Sequence, residues 1–422
     1  MVHFMGQLMG QRNYGRSAPV AASAARTIGT DPLPFERYGK SSFPAVPAED
    51  GGPCGGRIRR WTINGDFVTL PPNGVARYAR EVTLALDALL DEGHPLARGL
   101  ELDLAVPRRE QLPLQAIGMR VVPEFNKPRL PQFWVQMQLP RHVEGGLLSF
   151  CNLAPVALTR QIACIHDLHT RLMPESYGRG FRWAHRFILP LLGRRAAHIT
   201  TVSQLSRQHL IKYGIAPQEK ITVTYNGSDH AERWDADRSK LQIRPDRPYV
   251  LCLGRDQKYK NVELLVRLAP LLDALDLNLW MAGEIDEAQI SRFAQPKPDN
   301  LRLLGRISDD DFKKALSGAL CFLFPSRIEG FGLPAVEAMR IGCPVVASTS
   351  PCLPEVCQDA ALYADPDDLA HWVRAVRDIQ RYPDLRQGLI EAGHKRSLSY
   401  SWRSIAEIYL ELMLQVDARA LR

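Results

Sequence analysis

The chain has 422 residues, more than one hydrophobic core normally organises, and 45% apolar with 23% charged residues is an ordinary balance for a soluble globular protein. Two domains are therefore expected, and a disordered chain is excluded. The formal charge of +7 is mild for this length and dispersed, which argues against nucleic acid but leaves an anionic substrate or anionic membrane surface open.

No apolar run approaches the ~20 residues of a spanning helix, so an integral membrane protein is not expected. The eight cysteines show no paired metal-ligand spacing. Cys164, Cys252 and Cys321 sit in apolar strand-like runs, and reduced, buried cytosolic thiols are expected rather than disulfides or zinc.

Residues 1–56 are rich in Gly, Ala, Ser and Pro without sustained periodicity or an apolar signal-peptide core, and are read as a flexible N-terminal extension. From Arg57 the pattern changes. Residues 58–64 suit a strand, GDFVTLPPNG a loop, and 75–90 an amphipathic helix with Val75, Tyr78, Val82, Ala85, Leu86 and Leu89 on one side. Asn73 and Gly74 open that helix, so the backbone can approach a bound group closely; an ordinary turn capped by Asn73 is the alternative. Further strands are expected at 102–106, 120–122, 147–150, 162–165 and 198–202. Their alternation with helical stretches argues for a parallel sheet covered on both faces. Ligands of such a sheet gather beyond the carboxyl ends of its strands, where His166 and Asp167 fall, although a His-Asp pair there also serves as a strand cap.

FRWAHRFILPLLGRR, from Phe181, places Phe181, Ala184, Phe187, Ile188, Leu191 and Leu192 at helical spacing with arginines around the rest. As a basic amphipathic helix it would lie on anionic lipid; as a core helix it would cover the sheet with that face, its arginines snorkelling. Pro190 interrupts a continuous lipid-facing surface and favours the core reading.

Residues 235–248 are polar and proline-bearing, as a linker would be. A second alternation follows. Residues 249–253 form a strand ended by Gly254, then come Arg255, Lys260, Asn261 and a helix to about 275. Two cations at the mouth of a parallel strand suit a diphosphate, surface charge being the alternative. Strands are expected at 277–282, 301–304 and 320–324, the last ended by Pro325. Gly330 and Gly332 bracket Phe331, Pro334 suits the first helical turn, and Gly342 and Pro344 close the helix before a strand at 345–347. The turn Gly330, Phe331, Gly332, Leu333 thus leads into a helix whose unpaired N–H groups favour phosphate. Glu329 precedes the turn and Glu337 lies one turn inside the helix, so one carboxylate can face a cleft while the other takes hydroxyls of a ribose; two solvated acids are the alternative. Helices are expected at 372–380 and 402–413.

EGFGLPAVEAMRIGCPVVAS, from Glu329, resembles the nucleotide-sugar signature of glycosyltransferase family 4, the retaining GT-B enzymes. INGDFVTLPPNGVARYAREV, IHDLHTRLMPESY, TVSQLSRQHL, VTYNGSDH and LCLGRDQKYKN resemble further segments of that family, in the expected order over about residues 58–415. STSPCLPEVCQDAAL does so with Glu355, though Gln358 stands where many members have glycine. The resemblance implies an α/β GT-B architecture of two Rossmann-like domains with a deep inter-domain cleft. Its parts would be an acceptor-side domain at 57–234, a nucleotide-sugar domain at 235–400 and a helix at 401–422 crossing back.

The same resemblance implies that Glu329 contacts the donor sugar, Glu337 the ribose, and Arg255 and Lys260 the diphosphate, with Asn73 and Gly74 against the phosphate and acceptor. His166 would face the donor sugar, Asp167 would orient it or the acceptor, and Ser203 and Asn226 are recurring residues. The implied reaction is transfer of a sugar, GDP-mannose being the first choice of donor, with retained configuration to a glycan or polyprenyl-diphosphate-linked acceptor in bacterial polysaccharide assembly. No metal or other cofactor is implied, because protein cations neutralise the leaving group, and the setting is cytoplasmic, in one reading at the inner face of the membrane. Two other classes remain open: a catalytically silent nucleotide-sugar binder, and a dinucleotide-dependent oxidoreductase, for which GFGLPA followed by Glu355 is a weak G-x-G-x-x-A match.

Overall fold

Short apolar runs punctuated by glycine and proline build two parallel sheets in this computed structural model, which describes residues 58–124, 132–242 and 245–420. The extension expected at 1–56 lies outside the described residues. In the first sheet the strands are β1 (Arg59–Asn64), β2 (Leu100–Val106), β3 (Gly118–Val121), β4 (Gly146–Ser149), β5 (Gln161–Cys164), β6 (His198–Thr201) and β7 (Ile221–Val223), in spatial order 3-2-1-4-5-6-7. The second holds β8 (Tyr249–Leu253), β9 (Asn278–Ala282), β10 (Leu301–Gly305), β11 (Phe322–Phe324), β12 (Val345–Ser348) and β13 (Ala361–Ala364), in order 10-9-8-11-12-13. Every pairing in both sheets is parallel. Strands β4, β5, β6, β9 and β12 are buried along their whole length, as strands covered on both faces must be. The two-sheet α/β architecture read from the sequence is present; β7, whose three residues carry too little pattern to stand out, was not among the expected strands.

The helices that matter for the site are α1 (Gly74–Asp91), α2 (Arg179–Arg195), α3 (Gln204–Lys212), α4 (Val262–Asp273), α5 (Asp309–Gly318), α6 (Leu333–Ile341), α7 (Cys352–Cys357), α8 (Leu369–Arg381), α9 (Pro383–Leu398) and α10 (Trp402–Ala420). Asn73 caps α1 by accepting the Ala76 N–H at 2.9 Å, and Tyr78, Val82, Leu86 and Leu89 are buried beneath it as the spacing requires. In the second half Leu265, Leu268 and Leu272 of α4 pack with Val250, Leu279, Leu323 and Trp372 in one core.

Helix α2 corrects the expected core face. Phe181, Phe187 and Leu191 are 47, 59 and 46% exposed, while His185, Leu189, Leu192 and Gly193 are the buried positions. The reason is steric. A Cβ on Gly193 would lie 2.0 Å from Ile215 O, so only glycine allows that approach, and the contact fixes which side of the helix turns inward.

Helix α10 returns onto the first sheet. Asp417 accepts from Trp61 Nε1 (3.0 Å) and from Arg160 (2.6 Å) and lies 3.6 Å from Arg59, so its buried charge is compensated on three sides. Tyr409 bonds Tyr78 (3.0 Å) and Thr200 (2.7 Å). The chain crossings between the halves are pinned together: Ser228 Oγ donates to Ser397 O (2.8 Å), and the Asp229 carboxylate accepts the Trp402 N–H (3.1 Å). Residues 235–241, in the stretch expected as an inter-domain linker, are tied to α5, where Asp310 and Asp311 accept the N–H groups of Asp235, Lys240 and Leu241.

Candidate functional site

In a doubly wound sheet a crevice opens where the strand order reverses, because neighbouring loops there leave in opposite directions. The reversal falls between β1 and β4 in the first sheet and between β8 and β11 in the second. The loops leaving these strands carry Asn73 and Gly74, then Asn152, whose Oδ1 accepts the N–H of His166 at 2.7 Å; His166 and Asp167 themselves follow the neighbouring β5, in the first half. In the second half they carry Arg255, Lys260 and Glu329 to Gly332.

The two crevices meet. A Cβ on Gly330 would lie 3.2 Å from His166 O, 3.3 Å from Asp167 Cβ and 3.4 Å from Asp167 Oδ2, so the glycine turn of the second half rests directly on the His-Asp segment of the first. Gly330 O accepts from Ser206 Oγ (3.4 Å) and Cys352 Sγ (3.2 Å), fixing the turn from both halves. Gly332 has φ +97° and caps α6 without a side-chain acceptor; Pro334 in the first turn has no N–H, and the Ala335 N–H is taken by Gly332 O at 3.0 Å. Lys260 Nζ lies 2.7 Å from Glu329 Oε1 and over the rings of Tyr259 (5.2 Å) and Phe324 (5.5 Å). Arg255 is partly exposed, 3.6 Å from Glu284. A Cβ on Gly74 would meet nothing within 4 Å, so the space before α1 is open.

His166 is buried against Tyr78, ring centroids 4.9 Å apart. Its Nε2 is 2.7 Å from Phe150 O, which can only accept, so Nε2 carries the proton and Nδ1 is the edge left for other partners. Burial pulls its pKa down, but Cys164, the Phe150 carbonyl and Asp167 outweigh this and raise it. Asp167 does not orient the His166 ring as expected. Its Oδ1 accepts the His169 N–H (2.9 Å) and lies 3.6 Å from His169 Nδ1, because the chain turns into a short helical segment there and the carboxylate caps it.

Sequence reasoning missed Tyr177, His169 and Tyr259. The rings of His169 and Tyr259 meet across the halves at 5.2 Å, and burial, then the charges of Asp167 and Glu329, push the Tyr177 and Tyr259 hydroxyls well above their ordinary range. It also missed Arg77, which bridges the halves by a two-pronged bond to Asp309 (2.6 and 3.0 Å). Glu355 is an acid in the first turn of α7 and also reaches across: its carboxylate accepts the Gln204 (2.7 Å) and Leu205 (3.0 Å) N–H groups, capping α3 from the opposite half.

Asp66, in the loop after β1, is a half-buried acid whose Oδ1 atom is buried with no hydrogen-bond partner among the described residues. Burial pushes its carboxyl up to about 7, against the opposing pull of Cys151 and the Phe67 N–H. The folded chain therefore keeps a proton that the unfolded chain releases above pH ~4, so stability falls as pH rises from about 4 to 7 and then levels. Asp66→Asn should flatten that slope in urea midpoints taken at pH 5 and pH 8; an unchanged slope would reject it.

Residues 72–232 match the description Glycosyltransferase Family 4, and residues 234–396 match Glycosyl transferases group 1. The GDP-mannose:cellobiosyl-diphosphopolyprenol alpha-mannosyltransferase of Komagataeibacter xylinus is 32% identical over 78% of this chain and 92% of its own length. The chain belongs to glycosyltransferase family 4. A second relative, the O-antigen chain mannosyltransferase RfbU of Salmonella typhimurium, is 29% identical over 54% of this chain, and the match spans 63% of that relative's length. Among solved structures, sucrose-phosphate synthase from Thermosynechococcus elongatus superposes with TM-score 0.66 at 18% identity, covering 86% of this chain and all of that one, which shows the shared GT-B fold. Gln358, where the resemblance leads one to expect glycine, holds φ +50°, ψ −128°, a conformation glycine adopts without strain.

Proposed function

We propose that this family 4 chain is a retaining hexosyltransferase that moves a sugar, mannose from GDP-mannose, onto a glycan or polyprenyl-diphosphate-linked acceptor in bacterial polysaccharide assembly. The observation that carries this is the meeting of Lys260, Glu329 and Gly330 with His166 and Asp167 where the switch points of two parallel sheets face one another. The donor's diphosphate would lie against Lys260, Arg255 and the start of α6, and its sugar between Glu329 and the His166 edge. Negative charge grows on the diphosphate as the glycosidic bond breaks, and fixed cations with helix N–H groups stabilise it there without reorganising. The departing phosphate, on the same face as the acceptor, takes the acceptor's proton. In this reading Glu329 and Glu337 bind donor and do not form a glycosidase pair, and neither metal nor other cofactor is required.

The mannose assignment draws on relatives named as mannosyltransferases, one of them GDP-mannose-dependent. In the oxidoreductase alternative the glycine turn follows its strand at once, whereas Pro325 to Glu329 intervene between β11 and Gly330. Thermal shifts and product release measured across GDP-, UDP- and nicotinamide compounds test the reading. GDP-mannose should give the largest shift and release GDP with an α-linked product; an inverted linkage or a nicotinamide-only response would overturn it.

Among the described residues no helix is long and apolar enough to cross a membrane. Contact with an anionic membrane is part of the same proposal, and α2 supports it. Trp183, Phe187 and Leu191 stand exposed along one side, Trp183 stacked on Phe187 at 5.6 Å, with Phe181 exposed near the helix start and Arg179, Arg186 and Arg194 exposed around them. Trp183→Ser with Phe187→Ser should abolish flotation on phosphatidylglycerol vesicles at low salt while donor hydrolysis in solution persists; equal flotation would remove the membrane contact.

A further inference from the structure

Both chain crossings between the halves converge on one carboxylate. Glu337, on α6, is 5% exposed, and its Oε1 accepts from His230 Nε2 at 2.8 Å and lies 3.5 Å from Arg77 Nε. His230 follows β7 in the outgoing crossing and is 1% exposed; its Nδ1 accepts from the indole Nε1 of Trp402, at 3.0 Å, which opens α10 in the returning one. An indole nitrogen can only donate, so Nδ1 is unprotonated, and the proton on Nε2 points at Glu337. The imidazole is further clamped between the rings of Trp234 (5.4 Å) and Trp402 (5.8 Å). Arg77 comes from the first half and is itself held by Asp309 of the second. Oε1 is therefore fixed from the crossing and from the far side of the cleft, while among the described residues no hydrogen bond reaches Oε2.

We infer that Trp402, His230 and Arg77 form a positioning relay that aims the free oxygen of Glu337 at the donor's ribose diol and ties that aim to the two chain crossings between the halves. The inference rests on the ribose role proposed for Glu337, and it adds the residues that make the role depend on the geometry of those crossings. With Oε1 held by His230 and Arg77, Oε2 is the oxygen of Glu337 that has no hydrogen-bond partner among the described residues and is available to a ligand. Without the imidazole proton the carboxylate turns to Arg77 alone, and the diol loses a fixed acceptor whereas the diphosphate and base contacts are untouched. His230 and Trp402 touch no substrate atom in this arrangement and act through Glu337.

The test is the ratio of affinities for GDP and 2′,3′-dideoxy-GDP, measured by calorimetry on the full chain. A hydrogen bond to a charged acceptor gives the parent a preference of about tenfold or more for the ribose form. Glu337→Gln should bring the ratio close to one, and His230→Phe and Trp402→Phe should lower it in the same direction. His230→Gln, whose amide can accept from the indole and donate to Oε1, should restore most of it. Unchanged affinity for the dideoxy compound in each variant shows that the pocket is still folded. A parent-like ratio in His230→Phe, with Glu337→Gln reduced, overturns the relay and leaves the ribose role standing. A parent-like ratio in Glu337→Gln removes the ribose role itself, and the relay with it.

Discussion

Lys260→Met lowers the rate of sugar transfer about 10³-fold, and Arg255→Met about 10²-fold, with kcat carrying most of the loss. The order follows from the surroundings. Lys260 is mostly buried, with its ammonium 2.7 Å from Glu329 and over two aromatic rings, so its field is little screened, whereas Arg255 is about a third exposed and shares Glu284 at 3.6 Å. The loss appears in kcat because a cation beside the β-phosphate matters more as the bond breaks and charge accumulates than in the ground state. Glu329 has its own dependence on Lys260: without the ammonium, a carboxylate only 11% exposed is left uncompensated. Lys260→Met should therefore also lower the melting temperature, and adding nucleoside diphosphate should not recover it. Lys260→Arg separates charge from place, since the planar guanidinium cannot sit where the ammonium touches Glu329, and it should recover stability more fully than rate. Single-turnover kinetics on variants with native circular dichroism is the measurement. Transfer within about fivefold of the parent in Lys260→Met would reject the diphosphate role.

How much of this was legible in the sequence depends on whether the cause is local. The turn before α6 was readable because its signals act on their own backbone: Pro325 ends a strand by lacking a donor, and Gly342 takes φ of +83° as expected of a residue that closes a helix, while Gly332 opens it at φ +97°. The alternation of strand and helix was likewise readable, since parallel strands must be apolar throughout. What failed was tertiary. The inward face of α2 is chosen by the contact of Gly193 with Ile215 O, and a glycine among leucines has no apolar weight in a periodicity. Asp167 turned to His169 because the backbone bends there, and Glu355 reaches across to α3, a partner some 150 positions away. His230 and Arg77 lie inside segments the sequence reading recognised, one as the last residue of VTYNGSDH and the other one turn into the first helix, but nothing in their spacing names Glu337 as the shared partner.

Gly330→Ala is expected to cut transfer about 10²-fold and Gly330→Val further, with the melting temperature little changed. The added methyl would stand 3.2 Å from the His166 carbonyl and 3.3 to 3.4 Å from Asp167, closer than a Cβ ordinarily comes, yet not an outright clash. The chain can relieve this by a shift of a few tenths of an ångström, because both contacts are in loops at strand ends and neither strand register depends on them. That shift separates the carbonyl of His166 from the glycine turn, and with it the first half's side of the sugar site from Glu329 on the second. Reacting groups aligned within about 3.5 Å lose rate steeply with small displacements, while donor affinity, set mainly by Lys260, Arg255 and the start of α6, is kept. The expected signature is thus a fall in kcat at a nearly constant KM for the donor. Gly342→Ala is the control, since its Cβ would meet only Ile390 at 3.7 Å: φ of +83° makes it costly to stability, but it is at the far end of α6 and should spare kcat in the folded fraction. If Gly330→Ala instead lost donor affinity and kept kcat, the glycine turn would be holding the diphosphate rather than setting the distance between the two halves of the site.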